Sequence, residues 1–194
     1  METAMRVKDE EKDQQIRDAA VRLINEMGFA GASMAKIAKA AGVSPATIYL
    51  YFKNKDDMVQ TLYLDLKQRM LRAMLEGTDQ EKTLKAKLRR AWRNYHALHA
   101  SRPEVYRFCE QFFNSPHIRT LPPEQVARVY APLAALFAAA EEQGLIRPQP
   151  FAVTFSYMFG PLGLLVKLDA AGGATRTPEE LDALFDMAWR AVAA

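Results

Sequence analysis

The sequence predicts an all-α chain, with a three-helix unit at the N-terminus and a longer helical bundle behind it. Apolar residues recur at three- and four-residue spacing through almost all of the 194 residues. Helix starts are marked by capping residues, as at Ser44-Pro45 and Thr177-Pro178-Glu179-Glu180. Residues 33–57 hold two short helical patterns separated by Gly42, the layout of a helix-turn-helix. With 49% apolar and 25% charged residues the chain has the material for a globular core.

Residues 1–9 read as a frayed tail, and residues 16–29 as a first helix ending at Gly28-Phe29. Ser33 is placed to cap the next helix, with Ile37, Ala38 and Ala41 on one face. Gly42 stands where the chain turns sharply, and Val43 plugs the space between the helices. Ser44 caps the third helix, and Pro45 occupies its first turn, where a missing N–H costs nothing. Ile48, Tyr49 and Phe52 form its apolar side, with Phe52 and the Tyr49 ring expected in the core. Such a pair lays its second helix in the major groove of DNA.

Residues 56–75 follow as a long amphipathic pattern through Met58, Leu62, Leu66 and Met70. Gly77-Thr78-Asp79 is the best boundary, dividing the chain into a DNA-binding domain over 10–56, a connecting helix over 57–77 and a helical domain over 78–194. Helices are expected over 83–100 and 103–114, a loop over 115–122, and a helix over 123–143 that Pro132 kinks and Gly144 ends, with Leu145 and Ile146 as an apolar cover. Residues 151–166 pass without a charge. Gly160-Pro161-Leu162-Gly163 interrupts that run, and Lys167 and Asp169 close it short of the ~20 residues of a membrane span. The expectation is burial against protein, with no membrane partner. Thr177 and Glu180 then form a capping box at the start of the last helix.

The formal charge of +3 only mildly favours a polyanionic partner, but its distribution is informative. Residues 33–55 hold four lysines (Lys36, Lys39, Lys53, Lys55) and no acid, whereas the acids gather in the first helix. A second basic block runs from Lys82 to Arg102 without an acid; it reads as the solvated face of a helix, with an auxiliary contact to DNA or an acidic partner as the alternative. The single cysteine, Cys109, rules out an intramolecular disulfide, and no apolar leader directs export, both consistent with the cytoplasm.

The run Ile37-Ala38, Ala41-Gly42-Val43-Ser44, Ala46-Thr47-Ile48-Tyr49, Tyr51-Phe52, Asn54-Lys55 resembles the N-terminal DNA-binding domain of the TetR family of bacterial transcriptional regulators, over roughly residues 10–60. The resemblance implies an N-terminal three-helix DNA-binding domain with a C-terminal bundle for ligand binding and dimerisation. Matched position by position, Ser33, Thr47, Tyr49 and Lys55 are implied as phosphate contacts, and Lys53 on the same basic stretch is a further DNA-binding candidate. Ser44, Pro45, Ala46 and Leu50 would face base edges, with Tyr51 nearby. Pro45 and Leu50 offer no side-chain hydrogen bond, so readout would lean on thymine methyls, backbone groups or DNA shape.

The same resemblance implies a homodimer through the last two helices, about residues 151–168 and 178–192, which would read a palindromic operator in double-stranded DNA. It also implies a small-molecule effector that releases a repressor from that operator. Candidate lining residues are Trp92, Tyr95, His96, Phe108, Cys109, Phe112, Phe113, Tyr130, Phe155 and Met158, a set that suits an apolar or aromatic ligand. Two other readings stand beside this one: a DNA-binding architectural protein without ligand control, and a metal or redox sensor using His96, His99, Cys109 and His117. The histidine spacing matches no known finger, and an apolar Phe-Cys neighbourhood favours an inert thiol. With no phosphate loop, paired carboxylates or serine elbow, neither catalysis nor a cofactor is expected.

Overall fold

The computed structural model describes residues 2–194, with side chains from Glu10 onward. The described residues form α1 (Glu2–Gly31), α2 (Met34–Ala40), α3 (Pro45–Tyr51), α4 (Lys55–Met74), α5 (Leu84–Ser101), α6 (Pro103–Phe113), α7 (Pro123–Glu142), α8 (Phe151–Gly172) and α9 (Pro178–Val192). Short 3-10 turns lie at Thr78–Gln80 and Pro116–Thr120, the latter inside the expected 115–122 loop. The only strand-like pairing among the described residues is an isolated bridge between Ile146 and Ala193. The tail expected over residues 1–9 falls on positions whose side chains lie outside the described set, although the α1 backbone begins at Glu2.

Two compact units divide the chain, and they are not contiguous: residues 1–67 with 103–123, and residues 68–102 with 124–194. This departs from the expected cuts at 56 and 77. α4 contributes its first part to one unit and its end to the other, and α6 belongs with the N-terminal helices.

In the first unit, α1 changes direction at Gly28 (φ 70°, ψ 173°), a backbone state open only to glycine, and then continues to Gly31. The α2–α3 turn closes as a Schellman motif: Gly42 is left-handed at φ 70°, the Val43 N–H bonds Ala38 O at 3.0 Å, and the Gly42 N–H bonds Lys39 O at 3.2 Å. Ile16, Ile24, Ile37, Ile48, Phe52, Met58 and Leu62 are buried. α6 packs on α1 through Phe29 and Phe108 at 6.0 Å and through Asn25 Nδ2 donating to Glu104 O at 2.8 Å, and on α4 through Tyr63, stacked on Phe112 at 4.1 Å.

In the second unit, Leu88, Trp92, Leu133, Phe137, Met158, Phe159, Leu162, Phe185 and Trp189 form one core. The Trp92 indole donates to Met158 O at 2.9 Å, tying α5 to α8. α7 runs through Pro132 and ends on left-handed Gly144, where the Leu145 N–H bonds Ala140 O at 2.9 Å. The capping box of α9 is formed in full.

α8 continues past Lys167 and Asp169, which were expected to close it, because neither residue breaks a helix. Left-handed Gly173 ends it instead. At 22 residues it is long and apolar enough to cross a membrane by length and composition. Even so, Met158, Phe159 and Leu162 lie in the core, while Val153, Tyr157, Leu164 and Leu168 remain exposed along one stripe.

The basic block on α5 finds its partners within this unit. Arg93 Nη2 meets Asp182 at 2.6 Å, Arg89 Nη2 meets Asp186 at 3.1 Å and Lys85 meets Asp186 at 3.3 Å, so α9 supplies the acids. Each of these pairs is partly exposed, so solvent screening keeps its contribution to stability small.

A second ion pair leads to a pH prediction. Arg176 donates to both Asp169 oxygens, at 2.8 and 2.5 Å, and these bonds hold the carboxyl below the usual carboxylate range. A depressed folded-state pKa contributes stability above the unfolded carboxylate value, and that contribution is lost as pH falls through the folded value. Asp169→Asn is therefore expected to lower the melting temperature at pH 7, with the gap to wild type closing as pH falls below the usual carboxylate range. A gap that persisted unchanged in acid would refute the role of the charge.

Candidate nucleic-acid interface and effector bundle

α3 presents two unlike faces. Ile48 and Phe52 turn inward, Phe52 being only 2% exposed. Pro45, Ala46, Tyr49 and Leu50 face solvent, with Tyr49 at 55% and Leu50 at 83% exposed. The Tyr49 ring is therefore not part of the core, contrary to expectation, because a seven-residue helix packed on one side can bury only the positions in line with Ile48. Thr47 and Tyr51 are half-buried. Ser44 Oγ caps the helix by accepting the Thr47 N–H at 3.1 Å, and it shares a further hydrogen bond with Thr47 Oγ1 at 2.8 Å.

The flanking groups are anchored by backbone contacts. Ser33 Oγ accepts the Lys36 N–H at 3.3 Å, and Lys36 Nζ donates to Gly31 O at 2.9 Å. Asn54 Oδ1 accepts the Asp57 N–H at 2.9 Å at the start of α4, where the Lys53 N–H also donates to Asp57 Oδ2 at 2.9 Å. The Lys53 side chain is exposed. Lys55 Nζ donates to Phe29 O, so this lysine closes the end of α1 and is not a freely projecting charge. Ser33, Ser44, Pro45, Ala46, Thr47, Tyr49, Leu50, Tyr51, Lys53 and Lys55 thus all fall within one unit, on α3 and the segments that flank it.

The expected effector residues are divided between the units. Phe108, Cys109 and Phe112 are buried in the first unit beside α1, and Phe113 is 64% exposed, so none of the four joins the second unit's interior. The helical period identified the apolar side of α6 correctly but did not say which helix would cover it. Burial pushes the Cys109 thiol up, which makes it a poor nucleophile and a poor redox sensor.

Trp92, Tyr95, His96, Tyr130, Phe155 and Met158 belong to the second unit. There an aromatic ladder links α7, α8 and α5: Tyr130 to Phe155 at 5.7 Å, Phe155 to Phe159 at 5.3 Å, and Phe159 to Tyr95 at 5.3 Å. It also takes in Phe137 and Phe151, at 5.7 Å from each other. Phe137, Phe151 and Phe159 were absent from the sequence candidates, although the four-residue spacing of Phe151, Phe155 and Phe159 marks one helix face.

Thr154 was missed as well. It is 1% exposed, and its hydroxyl lacks a hydrogen-bond partner. Burial holds His96 below the usual imidazole range, with nearby Asp169 acting in the opposite direction and Arg176 reinforcing the shift. His96 is therefore neutral at pH 7. Among the described residues no group of three His, Cys, Asp or Glu side chains is placed to hold a metal. His96 and His99 lie in one unit, Cys109 and His117 in the other.

Comparison with known proteins identifies the family. Residues 16–62 match the model of bacterial regulatory proteins of the tetR family, and residues 83–193 match the tetracyclin repressor-like C-terminal domain. The chain belongs to the TetR family. A TetR-family transcription regulator from Marinobacter aquaeolei VT8 is 34% identical over 97% of this chain and 98% of its own, with a TM-score of 0.87. A fatty acid metabolism regulator protein from Bacillus subtilis is 44% identical over 77 residues, 40% of each chain. The nicotine-responsive transcriptional repressor HdnoR from Paenarthrobacter nicotinovorans is 33% identical over 82 residues, 42% of each chain. The match thus spans less than half the length of those two curated relatives. The protein is an all-α, DNA-binding TetR-family transcription regulator, and its relatives are regulators, not enzymes.

Proposed function

We propose that this TetR-family regulator is a cytoplasmic homodimeric repressor that leaves a palindromic operator when a small apolar or aromatic molecule binds its second unit. What carries the DNA half of this reading is the outer face of α3. A seven-residue helix that leaves Pro45, Ala46, Tyr49 and Leu50 in solvent contributes little burial through those side chains, and a partner surface accounts for their exposure. Ser33, Thr47, Tyr49 and Lys53 then set the register on the phosphates, joined by Lys55 through the ammonium protons that its bond to Phe29 O leaves over, while Ser44, Pro45, Ala46 and Leu50, with Tyr51 beside them, meet the bases.

Two copies associate through the exposed stripe of α8 (Val153, Tyr157, Leu164, Leu168) together with Met187 of α9. Exposed apolar residues on two helices that pack together are the material a self-complementary interface requires. The effector site is assigned to Trp92, Tyr95, Tyr130, Phe155 and Met158, with neutral His96 nearby. The unpartnered Thr154 hydroxyl offers a polar atom to the ligand in an otherwise uncharged surround.

The test is selection of bound genomic fragments by the purified protein, alone and with a panel of long-chain fatty acids and nicotine-like aromatics. The names of the two curated relatives motivate that panel. Enrichment of a palindrome that one class of compound abolishes is the expected result. A palindrome that no compound affects would leave a constitutive DNA-binding protein, and no enriched sequence at all would sink the regulator reading as a whole.

A further inference from the structure

We infer that the protein reads its operator chiefly through thymine methyl groups, with Leu50 as the residue that recognises them. The inference rests on the proposed docking of α3 in the major groove and specifies what is read there.

Bidentate base recognition draws on arginine, lysine, asparagine or glutamine, with carboxylates accepting from cytosine. α3, Pro-Ala-Thr-Ile-Tyr-Leu-Tyr from Pro45 to Tyr51, has none of these residues. Of the polar groups that remain, the exposed Tyr49 hydroxyl is assigned above to the phosphates, and the others are largely engaged or partly buried. Ser44 and Thr47 share a hydroxyl hydrogen bond at 2.8 Å, and Ser44 Oγ also accepts the Thr47 N–H at 3.1 Å, so the pair keeps a single uncommitted hydroxyl proton. Ser44 serves first as the helix cap. Tyr51 is half-buried.

Against this, the apolar surface is unusually open. Leu50 is 83% exposed, more than any other large apolar residue described, and exposed Ala46 lies one turn earlier on the same side. In the major groove the one apolar feature that distinguishes base pairs is the C5-methyl of thymine. A surface poor in directional donors and rich in exposed hydrocarbon is therefore complementary to thymine-bearing positions, and covering one methyl is worth about fourfold in affinity.

The chemical test removes the methyl and leaves the Watson–Crick edge untouched. Duplexes selected by the full-length protein from a random pool are remade with deoxyuridine at every thymine of the motif. Each recognised methyl is expected to contribute about fourfold, so one in each half-site gives a loss on the order of tenfold in affinity. Binding of the deoxyuridine duplex within twofold of the thymine duplex would overturn the inference while leaving DNA recognition standing. Failure to select any motif would overturn both together.

Leu50→Ala assigns the residue. Because Leu50 is solvent-exposed, the variant is expected to keep its fold while the thymine-to-deoxyuridine affinity ratio falls toward one. An unchanged ratio in Leu50→Ala would move the methyl contact to another side chain and refute the assignment.

Discussion

Leu164→Glu is expected to leave each chain folded and to convert the protein into monomers. Leu164 is 59% exposed on the outer stripe of α8, so a glutamate there sits in water and suits a helix as well as leucine does. Association through that stripe would take both carboxylates out of water among the apolar residues that surround them. Burying an unpaired charge costs about 3–5 kcal/mol, roughly a thousandfold in the dimer constant. A lone reading head touches one half-site and loses the gain from simultaneous engagement, so operator affinity should drop about a hundredfold or more. Light scattering at micromolar concentration and titration of a full palindrome against a half-site measure both effects. A persistent dimer would place the interface elsewhere than α8 and α9.

The second large effect is at Phe112. This ring is fully buried, stacks on Tyr63 at 4.1 Å and lies 6.1 Å from both Phe29 and His117. Phe112→Ala leaves a cavity where α6 is seated on α1 and should cost about 3–5 kcal/mol, a large share of the ~5–15 kcal/mol that holds a typical domain together. Phe113→Ala provides the control. Its ring is exposed, and truncation should change stability by about 0.5 kcal/mol or less. Urea unfolding followed by circular dichroism compares the two. A cost below about 1 kcal/mol for Phe112→Ala would mean that α6 contributes little to the first unit.

Phe112 and Phe113 also show where sequence reasoning stopped. Both were candidates for one effector site, yet one closes the core beside α1 and its neighbour faces water. The helical period separates an apolar side from a polar side, but it does not name the helix that will cover the apolar side. α6 therefore went to the helical domain on the strength of its place in the chain, and Phe108, Cys109 and Phe112 went with it. Tyr49 failed in the same way: aromatic character suggested core, and only the orientation of α3 puts the ring in solvent.

What could be read from the residues alone was governed by short-range interactions. The Ser33 and Ser44 caps, the turn at Gly42, the end of α7 at Gly144 and the Thr177–Glu180 box each close hydrogen bonds within about six residues. Their composition therefore determined them wherever the helices came to lie. The all-helical class followed from these and from the apolar period, and the reading helix came with them.

The partner of every long-range surface was decided by the tertiary structure. The acids that neutralise Lys85, Arg89 and Arg93 stand far along the chain on α9, 97 residues away for the Arg89–Asp186 bond, and the Phe29 carbonyl that engages Lys55 lies 26 residues upstream. Neither pairing leaves a trace in local spacing. Burial and ion pairing reward whatever surfaces meet, and packing chooses among many apolar faces of equal local merit only when the whole chain is in place.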